Sequence, residues 1–326
     1  MNRREAVIAL ACVGMPFGRA LAQSGKRVRR IGVFTAGSLQ GTEARLGEFR
    51  QGMKERGWIE ARDYTIDARY GDKGVQAWSA LTAELVATKP DLLLTTGDAA
   101  TRLLIQRTRK IPIVFAIAQD PVGNRLVASL QQPGGNVTGL TTLSGDLAGK
   151  QLQLLKEAFP GIGQVALLYE PENAGSVSQA RQMGEAAPRL GMRIKRVGIR
   201  GPADLEAAFG EGSAAGAQAY ILAQGGVVSA QRRVIAERLV GLKLPSIAAN
   251  TDYAESGALI SYAASSRENF HRAAGYVDRI FKGAKPAELP VEQPTKFELV
   301  LNLKTARAIG KSFAQSFLLR ADRVIE

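Results

Sequence analysis

Polar side chains recur just after the apolar segments of this chain that are typical of β-strands. Short β-branched runs such as residues 113–118 are too short for buried helices and are typical of parallel strands buried on both faces. The polar groups that follow would meet at the carboxyl edge of a sheet, where open α/β sheets bind ligands. The predicted ligand-binding residues are Thr35, Ser38, Thr96, Gly97, Asp98, Gln119 and Asp120 in the first half of the chain, and Glu170, Asn173, Gln224, Asn250, Asp252 and Tyr253 in the second.

Predicted helix N-termini suggest one kind of recognition. Helices are expected to begin just after Ser38, Gly97 and Asn173, so that their unpaired N–H groups and dipoles favour a carboxylate. For any single Ser, Thr, Asn or Asp, helix capping or turn formation explains the residue equally well. The recurrence at almost every strand end is what favours a binding site.

Carboxylates and aromatic rings suggest a second kind of recognition. An ammonium group needs an acidic partner, for which Asp98, Asp120 and Glu170 are candidates. Asp120 has the strongest support because it lies both at the end of a predicted strand and within the block QDPVG-x-x-LVASL-x-x-PGGNVTGL. Tyr253 would stack on a flat ligand.

Motifs for catalysis and for metal binding are missing from the sequence. It contains no glycine-rich dinucleotide loop, no phosphate-binding loop and no G-x-S-x-G elbow. His271 is the only histidine and lies in a predicted helix, while Cys12 is the only cysteine, so no zinc ligand set exists. We therefore predict no catalytic residues, no metal and no cofactor, and we predict that the chain is not an enzyme.

Strands alternate with helices in two successive series, which predicts an α/β protein with parallel sheets and right-handed crossovers. The first series ends in a strand over 113–118, followed by a short helical segment around Val127 and Leu130 and then by a strong break at 133–136. The second series begins with the strand at 165–169. Two similar halves joined by several crossings predict a hinged clamshell.

Two long blocks resemble a known family. They are QDPVG-x-x-LVASL-x-x-PGGNVTGL, at 119–140, and AGYVDRIFKGAKPAELPVEQPTKFELVLN, at 274–302. The chain resembles the tryptophan/tyrosine-type substrate-binding proteins of ABC transporters over essentially its whole length. The position of Gln224 is more often an aspartate in that family, so a cation-recognising role does not carry over to this residue.

This resemblance implies a fold, a function and partners. The fold would be the type I periplasmic binding protein clamshell, with two Rossmann-like lobes, parallel sheets and a hinge of several crossings. One lobe would comprise residues 29–141 plus 258–288, and the other 142–257 plus 289–326. The protein would bind a small amino-acid-like or aromatic carboxylate ligand and deliver it to an ABC permease and its ATPase.

The N-terminus predicts export. Two arginines precede an apolar run over 6–17 and an A-x-A pattern, so residues 1–22 are expected to be a signal peptide that is cleaved after Ala22. The expected location is the periplasm. A lipoprotein modified at Cys12 is the less favoured alternative, and the choice between the Sec and twin-arginine routes stays open.

Composition excludes some other classes of protein. At 326 residues, with 45% hydrophobic and 22% charged residues, the chain has an ordinary globular composition. The net charge of +13 is spread along the helices without an aromatic-plus-basic motif, so no nucleic-acid partner is predicted. We expect a monomer.

The same clamshell suits other roles, which the sequence does not distinguish. The main alternative is a periplasmic ligand sensor that feeds a membrane signalling partner. A repressor effector domain is opposed by the signal peptide, and a secreted enzyme by the missing motifs. For the motion, hinge crossings are expected at 134–142, 250–257 and 286–294, with Gly139 as a flexing position.

Overall fold

The computed structural model of the chain describes residues 27–35, 39–71, 75–142 and 147–326. The predicted signal peptide, Cys12 and Ser38 lie outside these ranges. None of the helices in these ranges combines the length and the apolar character that a membrane crossing requires.

Twelve strands and twelve α-helices are described, in the alternating order that the sequence predicts. The strands are β1 Arg29–Thr35, β2 Tyr64–Tyr70, β3 Leu92–Thr96, β4 Ile113–Ala118, β5 Val137–Thr141, β6 Gln164–Tyr169, β7 Arg193–Gly198, β8 Ala219–Leu222, β9 Ser246–Ala248, β10 Ile260–Ala264, β11 Phe297–Asn302 and β12 Arg323–Ile325. The helices are α1 Leu39–Glu55, α2 Val75–Ala87, α3 Asp98–Arg107, α4 Leu147–Ala158, α5 Ala174–Ala186, α6 Leu205–Ala214, α7 Gly226–Ala230, α8 Arg232–Gly241, α9 Thr251–Glu255, α10 Ser266–Phe281, α11 Leu303–Ala308 and α12 Gln315–Leu318.

The strands form two sheets, one in each lobe. The first has the order β2-β1-β3-β4-β5 and is parallel throughout. The second has the order β12-β11-β10-β9-β8-β6-β7, in which only the pairing of β10 with β11 is antiparallel. Read from the other edge, the second sheet begins β7-β6-β8-β9-β10, which is the same arrangement as β2-β1-β3-β4-β5 in the first sheet. This is the predicted α/β fold with two lobes.

Each sheet is covered by helices on both faces, as parallel strands buried on both sides require. In the first lobe, α1 and α10 pack on one face, where Phe49 and Phe270 join the core. On the other face α2 and α3 bring in Trp78 and Leu104. The segment around Val127 and Leu130 consists of turns, so the helix predicted there is wrong.

The chain crosses between the lobes at positions that differ from the expected ones. The strand β10 pairs with β9 and β11 in the second sheet, so the return to the first lobe begins after Ala264 rather than at 258. The segment 250–257 contains α9 and stays within the second lobe, so it is not a crossing. Residues 289–292 lie along β5, where Thr138 Oγ1 donates to Leu289 O at 2.6 Å. The last crossing therefore lies between Glu292 and Phe297.

Gly139 is a packed position inside β5 rather than a hinge. It pairs with Phe115 of β4, and its carbonyl oxygen accepts a hydrogen bond from Glu292 N at 3.1 Å. Its φ of +148° lies in a region that side-chain-bearing residues rarely adopt. The expectation that Gly139 flexes is therefore wrong, because both of its neighbouring strands hold it.

Candidate functional site

The carboxyl ends of the strands of both sheets face each other across the seam between the lobes. They enclose a cavity of about 40 Å³ there. Its wall from the first lobe is formed by Arg45, Trp78, Thr96, Gly97, Asp98, Ala99, Ala100, Ile117 and Gln119, and its wall from the second by Gly225, Gly226, Ser229 and Asn250. A groove of about 240 Å³ adjoins it beyond Asp98 and Ala99. Residues of both lobes therefore line the same cavity.

Asp98 organises the first-lobe wall. Its side chain is only 2% exposed and accepts hydrogen bonds from Gln119 N at 2.9 Å, from Asp120 N at 3.2 Å and from Asn124 Nδ2. The side-chain amide of Gln119 lies 3.1 Å from Asp98 Oδ2, and we assign its nitrogen to that side. Burial raises the pKa of Asp98 to about 6 in spite of these donors.

Arg45 on α1 supplies a buried positive charge at the cavity wall. Its Nη1 lies 3.1 Å from Oδ2 of Asp252 in the second lobe, and the two side chains are 8% and 20% exposed. The guanidinium also lies over the ring of Phe270, 5.4 Å from its centroid. This ion pair joins the two lobes, so Asp252 acts as a partner of Arg45 at the seam.

Asn124 connects Asp98 to the second lobe. Its Oδ1 accepts a hydrogen bond from Ala174 N at 3.1 Å, at the N-terminus of α5. Its Nδ2 donates to Asp98 and lies 3.5 Å from Oδ1 of Asn173, the residue that caps α5 by accepting from Ser176 N. Both polar atoms of the Asn124 side chain therefore lie close to residues of the second lobe.

We expect Asn124→Ala to weaken ligand binding by about tenfold, because the closed form loses the hydrogen bond that Ala174 N donates to Asn124 across the lobes. Isothermal titration calorimetry measures the affinity. Ser129→Ala is the matched control, since the Ser129 hydroxyl bonds only within its own turn, to Gln132 O at 3.2 Å. Equal affinities of the Asn124 variant and the wild type would show that this contact does not favour closure.

Glu170 and Gln224 hold second-lobe segments that border the seam. Oε1 of Glu170 accepts hydrogen bonds from Val227 N at 2.6 Å and Val228 N at 3.0 Å, at the start of α7. Gln224 accepts from Thr142 Oγ1 at 2.7 Å and donates to Ala249 O. Both hydrogen-bond partners of the Gln224 side chain are thus neutral, and one of them, Thr142, lies at the edge of the first lobe. Such partners suit an amide side chain and do not indicate the recognition of a cation.

The structure brings some of the predicted residues to the cavity and places others around it. Thr96, Gly97, Asp98, Gln119 and Asn250 line the cavity, while Glu170 and Asn173 line the adjoining groove. Gln224 lines a smaller pocket of the seam, on the other side of Gln119. The predicted residues therefore meet at one seam, but in three neighbouring compartments.

Three predicted residues have other partners. Thr35 is fully buried and bonds to the hydroxyl of Thr42 at 2.9 Å, which ties β1 to α1. The Asp120 carboxylate turns back to accept from Gly123 N at 2.8 Å. Tyr253 is 1% exposed in the second-lobe core, where burial raises the pKa of its hydroxyl. Because its ring is buried in this core and is not exposed in the cleft, the predicted stacking role of Tyr253 is wrong.

Sequence reasoning missed Arg45, Trp78, Asn124 and Ser229. Arg45 and Trp78 lie within helices α1 and α2 rather than at strand ends, and Trp78 belongs to an apolar stripe that predicts core packing. The indole of Trp78 donates to Gly71 O at 2.9 Å and meets the edge of Phe34. Asn124 directly follows QDPVG but stands at a position that the pattern leaves unspecified, so no signal in the sequence indicated it.

Comparison with known proteins gives relatives over most of the chain. The chain is 22% identical over 262 residues to a tyrosine-binding protein of Clostridioides difficile strain R20291, covering 80% of this chain and 75% of that protein. It superposes with a TM-score of 0.81 on an ABC domain in complex with L-Trp from Streptococcus pneumoniae, at 23% identity, covering 91% of this chain and all of that one.

A ligand-free, open structure from Clostridium difficile is less similar in shape. It belongs to a substrate binding protein with adhesive properties, and it superposes with a TM-score of 0.65 at 19% identity, covering 92% of this chain and 99% of that one. These structures share the fold of the chain, the type I periplasmic binding protein fold. The family model for ABC transporter substrate binding proteins matches residues 30–325, and the chain belongs to that family.

Proposed function

We propose that the protein is the extracytoplasmic receptor of an ABC importer, which binds a small amino-acid-like ligand between its lobes and delivers it to a permease with its ATPase. The predicted signal peptide supports export to the periplasm, where the receptor would act as a monomer. The names of two relatives, a tyrosine-binding protein and a complex with L-Trp, support an amino acid with an aromatic side chain.

One observation supports the ligand class best. The cavity wall carries one buried cation, Arg45, and one buried carboxylate, Asp98. An amino acid is a zwitterion, so its carboxylate pairs with the guanidinium and its ammonium group with the carboxylate. The aromatic ring of Trp78 lies in the same wall and suits an apolar side chain. A sugar carries no charge and would pair with neither of these two charged groups.

Thermal unfolding with a set of matched ligands tests this proposal. L-tyrosine and L-tryptophan should raise the unfolding temperature, since a ligand at 100 times its Kd stabilises the native state by about 2.7 kcal/mol. Tyramine lacks the carboxylate and 3-(4-hydroxyphenyl)propionate lacks the amino group, so we expect both to stabilise far less. Equal stabilisation by the propionate would refute the role of Asp98 and favour an organic acid.

Small-angle scattering tests the motion. The radius of gyration should fall when the preferred ligand is added, because closing brings the two lobes together. A constant radius would refute the clamshell mechanism. Uptake of the labelled ligand by cells that lack this protein, with and without the restored gene, tests delivery to the permease.

A further inference from the structure

Glu170 supports the cavity wall from behind. Its Oε1 accepts the N–H groups of Val227 and Val228, and the backbone of Gly225 lies so close that a Cβ there would be 2.1 Å from Oε1. The other side of this segment, at Gly225, Gly226 and Ser229, forms the second-lobe wall of the cavity. Glu170 itself is not part of that wall, so it acts on a ligand through the segment that it holds.

The Glu170 carboxyl group also faces the opposite lobe. It shares a groove of about 240 Å³ with Asp98 of the first lobe, whose negative charge acts on Glu170. Arg102 of α3 and Glu172 and Arg200 of the second lobe line the same groove. Arg102 donates to Asn124 at 3.3 Å, and Arg200 lies 3.8 Å from Glu172, so both cations have other partners.

Other titratable and charged groups lie on the second-lobe side of Glu170. Tyr253 of α9 is near enough to Glu170 for an electrostatic interaction and is itself influenced by Arg232 and Asp252. Burial is the main cause that raises the pKa of Glu170 to about 7, and the charge of Asp98 contributes to the same rise. Three backbone N–H groups at the start of α7 oppose this rise.

Opening the cleft removes one cause of this shift. The groove that buries Glu170 is lined by residues of both lobes, so separation of the lobes admits water to it and removes part of the burial that raises the pKa. The pKa of Glu170 is therefore lower in the open form, nearer its ordinary value of 4.5. A group whose pKa rises on closing binds a proton on closing, at pH values between its two pKa values.

We propose that Glu170 is a positioning residue of the cleft that takes up a proton when the lobes close, so that ligand binding is coupled to proton uptake and is stronger at lower pH. The inference rests on the proposed function, because it takes the ligand to stabilise the closed form. A protonated carboxyl group keeps a carbonyl oxygen that accepts N–H bonds, so the wall segment remains in place.

Calorimetric titration with L-tyrosine and L-tryptophan at about pH 6.5, in phosphate and in Bis-Tris buffer, counts the protons taken up. For the wild type we expect net uptake between about pH 5 and 7, and binding at least about threefold weaker at pH 8 than at pH 6. Glu170→Gln copies the protonated acid, so it should lose most of the uptake, and its affinity should change little between about pH 6 and pH 8. Glu170→Ala should bind more weakly at every pH, because the wall segment loses its acceptor.

Glu172→Gln is the matched control, since Glu172 lines the same groove with a side chain that is 84% exposed. It should take up protons as the wild type does. Binding without proton uptake, or equal uptake by wild type and E170Q, would overturn the inference and leave the proposed function intact. Failure of every amino acid to bind would instead count against the proposed function.

Discussion

Arg45→Met should weaken amino-acid binding by roughly 30- to 100-fold. The substitution keeps much of the length of the side chain but removes the charge that pairs with Asp252 across the seam. Removing one partner of a buried pair leaves the other charge uncompensated, and for a carboxylate that is 20% exposed we expect a cost of about 2–3 kcal/mol in the closed form. The open form does not bear this cost, so the loss appears in the affinity.

A double-mutant cycle with Asp252→Asn separates two roles of Arg45. If Arg45 only joins the lobes, the double variant should bind about as well as Asp252→Asn alone. If Arg45 also binds the ligand carboxylate, the double variant should be weaker than Asp252→Asn by a further factor of about ten or more. Calorimetric titration of the four proteins measures both outcomes.

Arg50→Met is the control for Arg45. Arg50 lies on the same helix but pairs with Glu43 and Glu60 inside the first lobe, so its loss should change affinity by less than about twofold. Wild-type affinity of Arg45→Met would contradict both the role at the seam and the contact with a ligand carboxylate.

Gly139→Ala should destabilise the first lobe by about 3 kcal/mol or more. A Cβ at this position would lie 2.0 Å from the carbonyl oxygen of Phe115, and the φ of +148° is itself unfavourable for alanine. The backbones at Phe115 and Gly139 cannot easily move apart, because they belong to the buried strands β4 and β5. Urea unfolding measures the change as a lower midpoint.

Gly135→Ala is the matched control in the preceding turn. No atom lies within 4 Å of its added Cβ, so its stability should stay within about 0.5 kcal/mol of the wild type. If Gly139→Ala unfolded at the wild-type midpoint and only reduced affinity, Gly139 would be a hinge after all.

Local patterns were sufficient to predict the two lobes. The run 113–118 is a strand with all six residues buried, and α10 begins after Ser265, whose side chain accepts a hydrogen bond from Glu268 N. Such signals are local, because a strand or a helix end depends on residues a few positions apart. The strand ends therefore identified much of the first-lobe wall.

The remaining features depend on contacts between distant residues. The Asp120 carboxylate faces its own turn because Gly123 N donates to it, while the backbone N–H of Asp120 donates to Asp98. The spacing of residues in the sequence does not reveal either contact. The contribution of Arg45 arises only because Asp252 approaches from the other lobe. The crossing after Ala264 was misplaced because β10 and α10 are adjacent in sequence but belong to different lobes.

The return of α10 to the first lobe has a consequence for the order of folding. Phe270, Ala274 and Val277 pack on the same core as Ile31 and Val33, more than two hundred residues earlier in the chain. One face of the first sheet is therefore covered only by α1 until most of the polypeptide has emerged, and such long-range contacts make folding slow. A nascent chain that ends before residue 266 would expose this apolar face and depend on a chaperone to stay soluble.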